Sequence, residues 1–209
     1  MEEEEIEKCN KIIKAGLPWE FYRRDTSEVA IDLLGKALVK YSGNEIVGGL
    51  IIETEAYYGM DDPASHAYGG KTPRSEIMFG RPGIAYVYLC YGMYYLLNVV
   101  TEDEGKPGAV LIRALEPIWG TDIMKERRKT DRNLTNGPGR LTIALGINTD
   151  DNGANIVRGE SGLHIFKYSE NNNCYKENNN SKIIRTSRVG IKKGREMPLR
   201  FLLPEKGKK

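Results

Sequence analysis

Two β-rich runs separated by only three residues restrict the fold of this 209-residue chain more than any other feature. Residues 84–90 (IAYVYLC) and 94–100 (YYLLNVV) are rich in aromatic and β-branched side chains, which favour strands. The connection between them, Tyr91-Gly92-Met93, is short enough only for a tight reversal. The sequence therefore predicts an antiparallel hairpin here.

The predicted tip of this hairpin has an unusual composition. Tips normally carry Asn, Asp or Gly, whereas Tyr91 and Met93 flank the single Gly92. One interpretation is that the tip folds back onto its own domain and buries both side chains. The other is that these side chains act as a wedge between base steps in the minor groove of DNA.

The stretch before the hairpin concentrates groups that chemistry on a nucleobase needs. An apolar run at residues 50–52 passes into Glu53, Thr54 and Glu55, and the alternation of a strand places both glutamates on one face. A turn-rich connection after Tyr57 leads to His66. Residues 51–98 thus hold acids, aromatics and one of two histidines.

Composition describes an ordinary globular protein of one domain. The hydrophobic fraction is 40% and the charged fraction 29%. No run approaches the roughly 18 apolar residues of a membrane span, and the N-terminus has no apolar signal region, so we expect an intracellular protein. Cys9, Cys90 and Cys174 include no CxxC pair, which argues against a disulfide scaffold or a thiolate metal site.

Charge is unevenly distributed along the chain. The net charge is +2, but residues 2–5 are all glutamate, and residues 182–209 hold ten Lys or Arg against two Glu. Such a basic segment is either a solvated surface or a set of contacts to phosphates. Residues 171–180 include six Asn, a composition typical of a mobile loop.

Several motifs together resemble one known family. The runs ETEAY (53–57), HAYGGKTPR (66–74), GIAYVYLCYGMYYLLNV (83–99) and VLIRALEP (110–117) are similar to the alkyladenine, or methylpurine, DNA glycosylases, as are NGPGRL (136–141), RVG (188–190) and PLRF (198–201). The resemblance covers most of residues 20–203. It implies an enzyme that excises damaged purines from duplex DNA.

The resemblance assigns the chemistry to two residues. Glu55 matches the general base that orients or deprotonates a water aimed at the sugar C1′, and Arg113 matches the arginine that helps to hold that water. Without the resemblance, Glu55 would be interpreted as a strand-end acid paired with a surface arginine. We expect Glu53, in a similar local pattern, to be structural.

The same resemblance assigns a base pocket and a DNA surface. Tyr57 on one side and His66 with Tyr88 on the other would stack a flipped purine, and Asn98 would crowd the exocyclic amine of guanine. Each aromatic could instead be a core residue. Tyr91 would fill the gap left in the duplex, and Met93 beside it is a further candidate for contact with DNA. The candidates for backbone contacts are Thr72, Arg74 and Arg140.

The expected fold is α+β: a single domain with a curved, mainly antiparallel β-sheet flanked by helices and a protruding, DNA-inserting β-hairpin. We expect an N-terminal extension at 1–24 with a helix over 8–15, the glycosylase domain at 25–203 and a basic tail at 204–209. Strands are predicted at 37–41, 45–55, 109–115 and 162–167, and helices at 26–34, 121–129 and 140–145.

The resemblance implies a monofunctional enzyme that acts as a monomer on double-stranded DNA containing damaged purines, with no metal and no organic cofactor. Two other functions remain open from the sequence. One is a non-catalytic minor-groove protein that uses Tyr91 only as a wedge. The other is a hydrolase or transferase of a small substrate.

Overall fold

The computed structural model describes residues 16–43, 45–168 and 183–204. Within these ranges the strands are β1 (Ala37–Ser42), β2 (Glu45–Tyr57), β3 (Ala85–Cys90), β4 (Tyr94–Val100), β5 (Ala109–Trp119), β6 (Leu163–Phe166), β7 (Ile184–Thr186) and β8 (Arg200–Leu202). The α-helices are α1 (Trp19–Tyr22), α2 (Thr26–Asp32), α3 (Thr121–Arg128) and α4 (Pro138–Leu145). Short 3-10 turns lie at Glu76–Phe79, Thr149–Asp151 and Glu160–Gly162.

The strands form one curled antiparallel sheet in the order β3-β4-β5-β2-β1-β6. The long strand β2 pairs with β5 along one edge, while its other edge pairs first with β1 and then, at residues 53–55, with β8. Register shifts in the β2–β5 pair lie between residues 48 and 54, and such irregularities bend a strand. The expected α+β fold with a curved antiparallel sheet is confirmed.

Two glycines permit the close packing at this bend. A Cβ on Gly48 would lie 2.3 Å from the carbonyl oxygen of Leu38, and one on Gly49 would lie 2.1 Å from that of Glu116. No larger residue fits where β2 passes between β1 and β5.

Helices cover the apolar face of the sheet. Helix α2 begins at Asp25, whose side chain accepts hydrogen bonds from the backbone N–H groups of Ser27 and Glu28. It packs on β2 and β5, while α4 packs on β4 and β5. Leu141, Ala144 and Leu145 of α4 are fully buried in the main core. The opposite face at one end of the sheet is therefore left for the cleft described below.

Most predicted elements are present with bounds shifted by a few residues. In the predicted hairpin, β3 pairs with β4 so that Cys90 lies opposite Tyr94. The sequence did not indicate α1, β7 or β8. The packed unit includes residues before Asp25, because Leu17 and Tyr22 are buried in the main core.

Some sequence-based expectations cannot be compared with the structure. The predicted helix at 8–15, the Asn-rich segment at 171–180 and the tail beyond residue 204 lie outside the described residues. In the part of the chain that the structure does describe, no helix has the length and apolar character needed to cross a membrane.

Candidate active site

A cleft of about 1160 Å³ opens at the end of the sheet where β2, β3, β4 and β5 meet. Its walls come from these strands, from the start of α4 and from residues 189–193 near the C-terminal end of the described chain. Seven of the sequence-predicted site residues line it: Tyr57, His66, Tyr88, Tyr91, Asn98, Arg113 and Arg140. The last of these, Arg140, is exposed and forms part of the rim. The fold thus brings together residues that are far apart in sequence.

Glu55 lies directly behind this lining and has no exposed surface. The alternation of β2 turns Thr54 towards α2, where its hydroxyl donates to the carbonyl of Ala30 at 2.8 Å, and turns Glu55 the other way. Oε1 of Glu55 accepts from the backbone N–H of Val189 at 2.7 Å. Oε2 accepts from the hydroxyl of Tyr57 at 2.8 Å and from Nη1 of Arg113 at 3.2 Å.

This environment makes Glu55 a stronger proton acceptor than a surface carboxylate. Burial raises the pKa of Glu55, and the Arg113 charge together with the hydrogen bonds from Val189 and Tyr57 opposes that rise. A carboxylate offers about four acceptor positions. Three are used by the partners named above, which leaves one on Oε1 for a water.

Arg113 joins the two glutamates of β2. Its Nε donates to Oε1 of Glu53 at 2.7 Å, and the same oxygen accepts from Nε of Arg200 at 2.6 Å. Glu53 therefore contacts two arginines of neighbouring strands, while Glu55 contacts only one. The alternation predicted for β2 is confirmed, since Arg113 reaches both carboxylates from one face of the sheet.

Aromatic rings form the side walls of the cleft. The ring centroids of His66 and Tyr88 lie 4.7 Å apart, and those of Tyr86 and Tyr88 lie 5.2 Å apart. Nδ1 of His66 is 2.8 Å from the hydroxyl of Tyr86. Tyr86 was not among the predicted site residues, although its alternation with Tyr88 on β3 placed both on one strand face.

His66 is a neutral wall of this pocket. Burial, with a smaller contribution from the Arg74 charge, lowers the pKa of His66 to about 4. Near pH 7 the imidazole therefore carries no charge, and it would not repel a cationic base lying against it.

Asn98 closes the side of the cleft formed by β4. It is almost fully buried and lies opposite Leu111 of β5, and its Nδ2 donates to the carbonyl of Tyr86 at 3.1 Å. That bond fixes the orientation of the amide, so the rest of the side chain occupies a defined volume beside the aromatic walls.

The tip of the β3–β4 hairpin is exposed. The side chains of Tyr91 and Met93 are 84% and 67% exposed, so the interpretation in which the tip buries them is wrong. Tyr91 has a φ of 52° and Gly92 one of 67°, both in the left-handed region. For a bulky residue this conformation costs on the order of 1–3 kcal/mol.

The three candidates for DNA backbone contacts occupy different surroundings. The hydroxyl of Thr72 lies 2.9 Å from that of Ser75 in a local turn, outside the cleft lining. Arg74 places its guanidinium 5.1 Å from the ring centroid of Tyr88. Arg140 donates to Oδ1 of Asn136 at 2.7 Å on the cleft rim. Only Arg140 among them borders the cleft directly.

Sequence reasoning missed the contribution of residues 187–194. The backbone N–H of Val189 contacts Glu55, Arg188 lies behind Tyr57, and Lys192 and Lys193 line the rim. The RVG run indicated that this segment resembles the family. It did not indicate that the backbone N–H of Val189 contacts Glu55, because every residue type except proline has such a group. In the described ranges no group of three or more His, Cys, Asp or Glu could hold a metal ion.

The sequence of this chain is similar to those of known proteins. Residues 20–207 match the family model described as methylpurine-DNA glycosylase. A relative from Carboxydothermus hydrogenoformans is 46% identical over 189 residues, which is 90% of this chain and 94% of the relative. One from Methanoculleus marisnigri is 47% identical with the same coverage, and one from Bacillus cereus (strain AH187) is 50% identical over 157 residues, 71% and 76% of the two chains. All three are named "putative 3-methyladenine DNA glycosylase".

Proposed function

We propose, from the premise that this chain belongs to the methylpurine-DNA glycosylase family, that it releases alkylated purines such as 3-methyladenine from duplex DNA by hydrolysing the N-glycosidic bond. One observation carries the mechanism. The buried carboxylate of Glu55 lies behind an aromatic-walled cleft and is oriented by Tyr57, Arg113 and the Val189 N–H.

In the proposed reaction, Glu55 orients a water through the remaining acceptor position on Oε1. The water oxygen forms a bond to C1′ of the sugar, the bond from C1′ to the purine nitrogen breaks, and the proton of the water passes to Glu55. The electron pair of the broken bond leaves with the base. General-base catalysis of this kind contributes about 10²- to 10⁴-fold. The product is an abasic site and a free purine.

The hairpin tip would help the damaged nucleotide to leave the duplex and enter the cleft. A base inside a duplex cannot reach a pocket, so the nucleotide must rotate out at a cost of a few kcal/mol. Tyr91 lines the cleft, and both Tyr91 and Met93 are exposed at the hairpin tip. In the proposed complex they enter the minor groove and occupy the space that the flipped nucleotide leaves.

The walls of the cleft would recognise the flipped purine. A flipped purine stacks between Tyr57 and the pair of His66 and Tyr88, and Asn98 leaves too little room for the exocyclic amine of guanine. Arg140 on the rim, with Thr72 and Arg74 further out, contacts the DNA backbone without reading sequence. We propose that the protein does this as a monomer, by direct use of water and without a Schiff base, metal or organic cofactor.

Single-turnover release of the base tests this proposal. The substrates are a randomly methylated duplex and a duplex with one hypoxanthine, each cleaved by alkali at abasic sites. Wild type is compared with Glu55→Gln. The matched control is Glu102→Gln, because Glu102 is also a buried glutamate, which accepts from the N–H and hydroxyl of Thr26 and from Lys106 and lies outside the cleft lining.

We expect abasic sites with wild type and Glu102→Gln, and none with Glu55→Gln at equal DNA binding. Binding by wild type without release of either base would instead favour the lesion-binding protein that uses Tyr91 only as a wedge. Absence of DNA binding even at low salt would favour a hydrolase or transferase of a small substrate.

A further inference from the structure

A buried ion pair lies directly behind the Glu55 site and is used by none of the steps above. The guanidinium of Arg188 is bonded to Asp62 by two hydrogen bonds, one of them 2.7 Å from Nη2 to Oδ1, and both side chains are fully buried. Arg188 also donates to the carbonyl of Ala56 at 3.0 Å. Residues 62 and 188 are thereby connected across the end of β2.

Arg188 contacts or adjoins two of the three groups that orient Glu55, Tyr57 and Val189. Its guanidinium carbon lies 4.7 Å from the ring centroid of Tyr57, whose hydroxyl donates to Glu55. The residue that follows, Val189, provides the backbone N–H to Oε1 of Glu55. Arg188 does not line the cleft, whereas Tyr57 and Val189 both do. The cation therefore covers the ring face of Tyr57 that the cleft does not reach.

Arg188 lies in a segment that is held by turns and side-chain contacts, such as the hydrogen bond from the Ser187 hydroxyl to the carbonyl of Arg195 at 2.7 Å. Residues 187–199 contain no helix or strand, and no β-ladder pairs Arg188 or Val189 with the sheet. Among the described residues, Nε of Arg188 has no hydrogen-bond partner. The guanidinium directs its other donors at Asp62, at the carbonyl of Ala56 and, at 3.5 Å, at the carbonyl of Gly194, and it lies over the ring of Tyr57. This arrangement uses the planar fork that lysine lacks.

Asp62 extends the connection to the opposite wall of the cleft. Its oxygens accept from the backbone N–H groups of Tyr58 at 3.1 Å and Ala64 at 3.0 Å, which shapes the turn that leads to His66. One ion pair thus joins the segment carrying Val189, the ring of Tyr57 and the start of the His66 loop.

We propose that Arg188, held by Asp62, is a positioning residue that sets the Val189 N–H and the Tyr57 hydroxyl on Glu55 for base release. The proposal rests on the proposed glycosylase function. A positioning error of about 1 Å can cost about 100-fold in rate, so a group two contacts from the substrate has a measurable effect.

Two variants separate positioning from folding. Arg188→Lys keeps the charge and loses the fork. The double variant Arg188→Met with Asp62→Asn removes both charges, so no uncompensated charge stays buried, and the amide oxygen introduced by Asp62→Asn can still accept from the N–H of Ala64. Breaking a buried pair from one side destabilises strongly, whereas replacing both partners is often neutral. The control is Arg24→Met, because Arg24 also pairs with an aspartate, Asp32, and stacks at 4.7 Å on a ring, Phe21, outside the cleft lining.

Single-turnover release and one amide resonance are the readouts. We expect release to slow by about 10- to 100-fold in both Arg188 variants and to stay within about twofold in Arg24→Met. The acid limb of the pH–rate profile should move to higher pH, because Glu55 loses hydrogen bonds that favour its charged form. The charged and titratable groups that face Glu55 are Glu53 and Tyr57 on β2, Tyr88 on β3, Arg113 on β5 and, through Glu53, Arg200 on β8.

The Val189 amide resonance reports the same contact without catalysis. In wild type it should lie downfield and titrate with Glu55, and in both Arg188 variants it should move upfield and titrate at higher pH. If the folded variants keep the wild-type rate and the wild-type Val189 resonance, the inference is overturned. If wild type releases no base but the Val189 resonance responds as expected, the glycosylase proposal fails while the positioning of Glu55 by Arg188 stands.

Discussion

Removal of one hydroxyl, in Tyr57→Phe, isolates the electrostatic part of the Glu55 site. The substitution keeps the ring that would stack on a base and that contacts Arg188. It removes only the donor at 2.8 Å to Oε2 of Glu55. Since that hydrogen bond favours the carboxylate, its loss should favour the protonated form of Glu55, which cannot accept a proton from water.

The size of the effect follows from the burial of Glu55. A hydrogen bond to a charged group contributes about 1.5–3 kcal/mol. Because Glu55 has no exposed surface, bulk solvent does not replace the donor lost from Oε2. With about 1.4 kcal/mol for each factor of ten, the acid limb of the pH–rate profile should move up by about 1–2 pH units. Release should then be about 10- to 100-fold slower on the acid side of the profile and close to the wild-type rate on the alkaline plateau.

The assay is single-turnover release from methylated duplex DNA across about pH 5 to 9. Tyr58→Phe is the matched control, because Tyr58 is the next residue and its hydroxyl bonds to Asp25 at 2.9 Å instead of to Glu55. A Tyr57→Phe profile with an unmoved acid limb, or one lowered equally at every pH, would refute the reasoning. Either result would show that the hydroxyl does not act through the charge of Glu55.

Two further predictions concern specificity and stability. Asn98→Ser should release guanine from undamaged duplex, because the substitution removes the amide that is hydrogen-bonded to the carbonyl of Tyr86. Chromatography of the free bases would detect the guanine. If none is released, Asn98 does not exclude guanine by steric crowding. The melting temperature of Glu55→Gln should rise relative to that of wild type as the pH increases above about 4.3. Burial raises the folded-state pKa of Glu55, so the folded protein loses stability as pH rises from the unfolded value of about 4.3 towards the raised one. Thermal melts at both ends of that range test this, and a constant difference would contradict it.

Local patterns in the sequence predicted the elements that carry the site. Strand β4 begins and ends where the run 94–100 indicated, because its aromatic and β-branched residues lie between a glycine-containing tip and a polar turn. Strand β5 extends beyond the predicted residue 115 to Trp119, through Pro117. Proline is compatible with a strand where no ladder bond is needed from its nitrogen, which a single sequence does not show.

Contacts distant in sequence were not predictable in the same way. Arg188 and Asp62 are 126 positions apart, and nothing in either local pattern identifies the other as its partner. The three-residue strands β7 and β8 were missed because so short a run has no measurable periodicity. The exposure of Tyr91 also needed the structure, since composition allowed both a buried and an exposed tip.

The positions of Arg188 and Arg74 affect how strongly the aromatic rings of the cleft would attract a cationic base. A base alkylated at N3 or N7 is cationic and gains roughly 0.5–2 kcal/mol from electron-rich rings. In this cleft, however, guanidinium groups already lie 4.7 Å from the ring centre of Tyr57 and 5.1 Å from that of Tyr88. A cation on one face of a ring weakens the attraction of that ring for a second cation on the other face. Asp62 reduces this effect for Arg188, because it compensates the charge of the guanidinium. We therefore expect the rings to attract a cationic lesion less strongly than the aromatic walls alone would imply, with neutral lesions at a correspondingly smaller disadvantage.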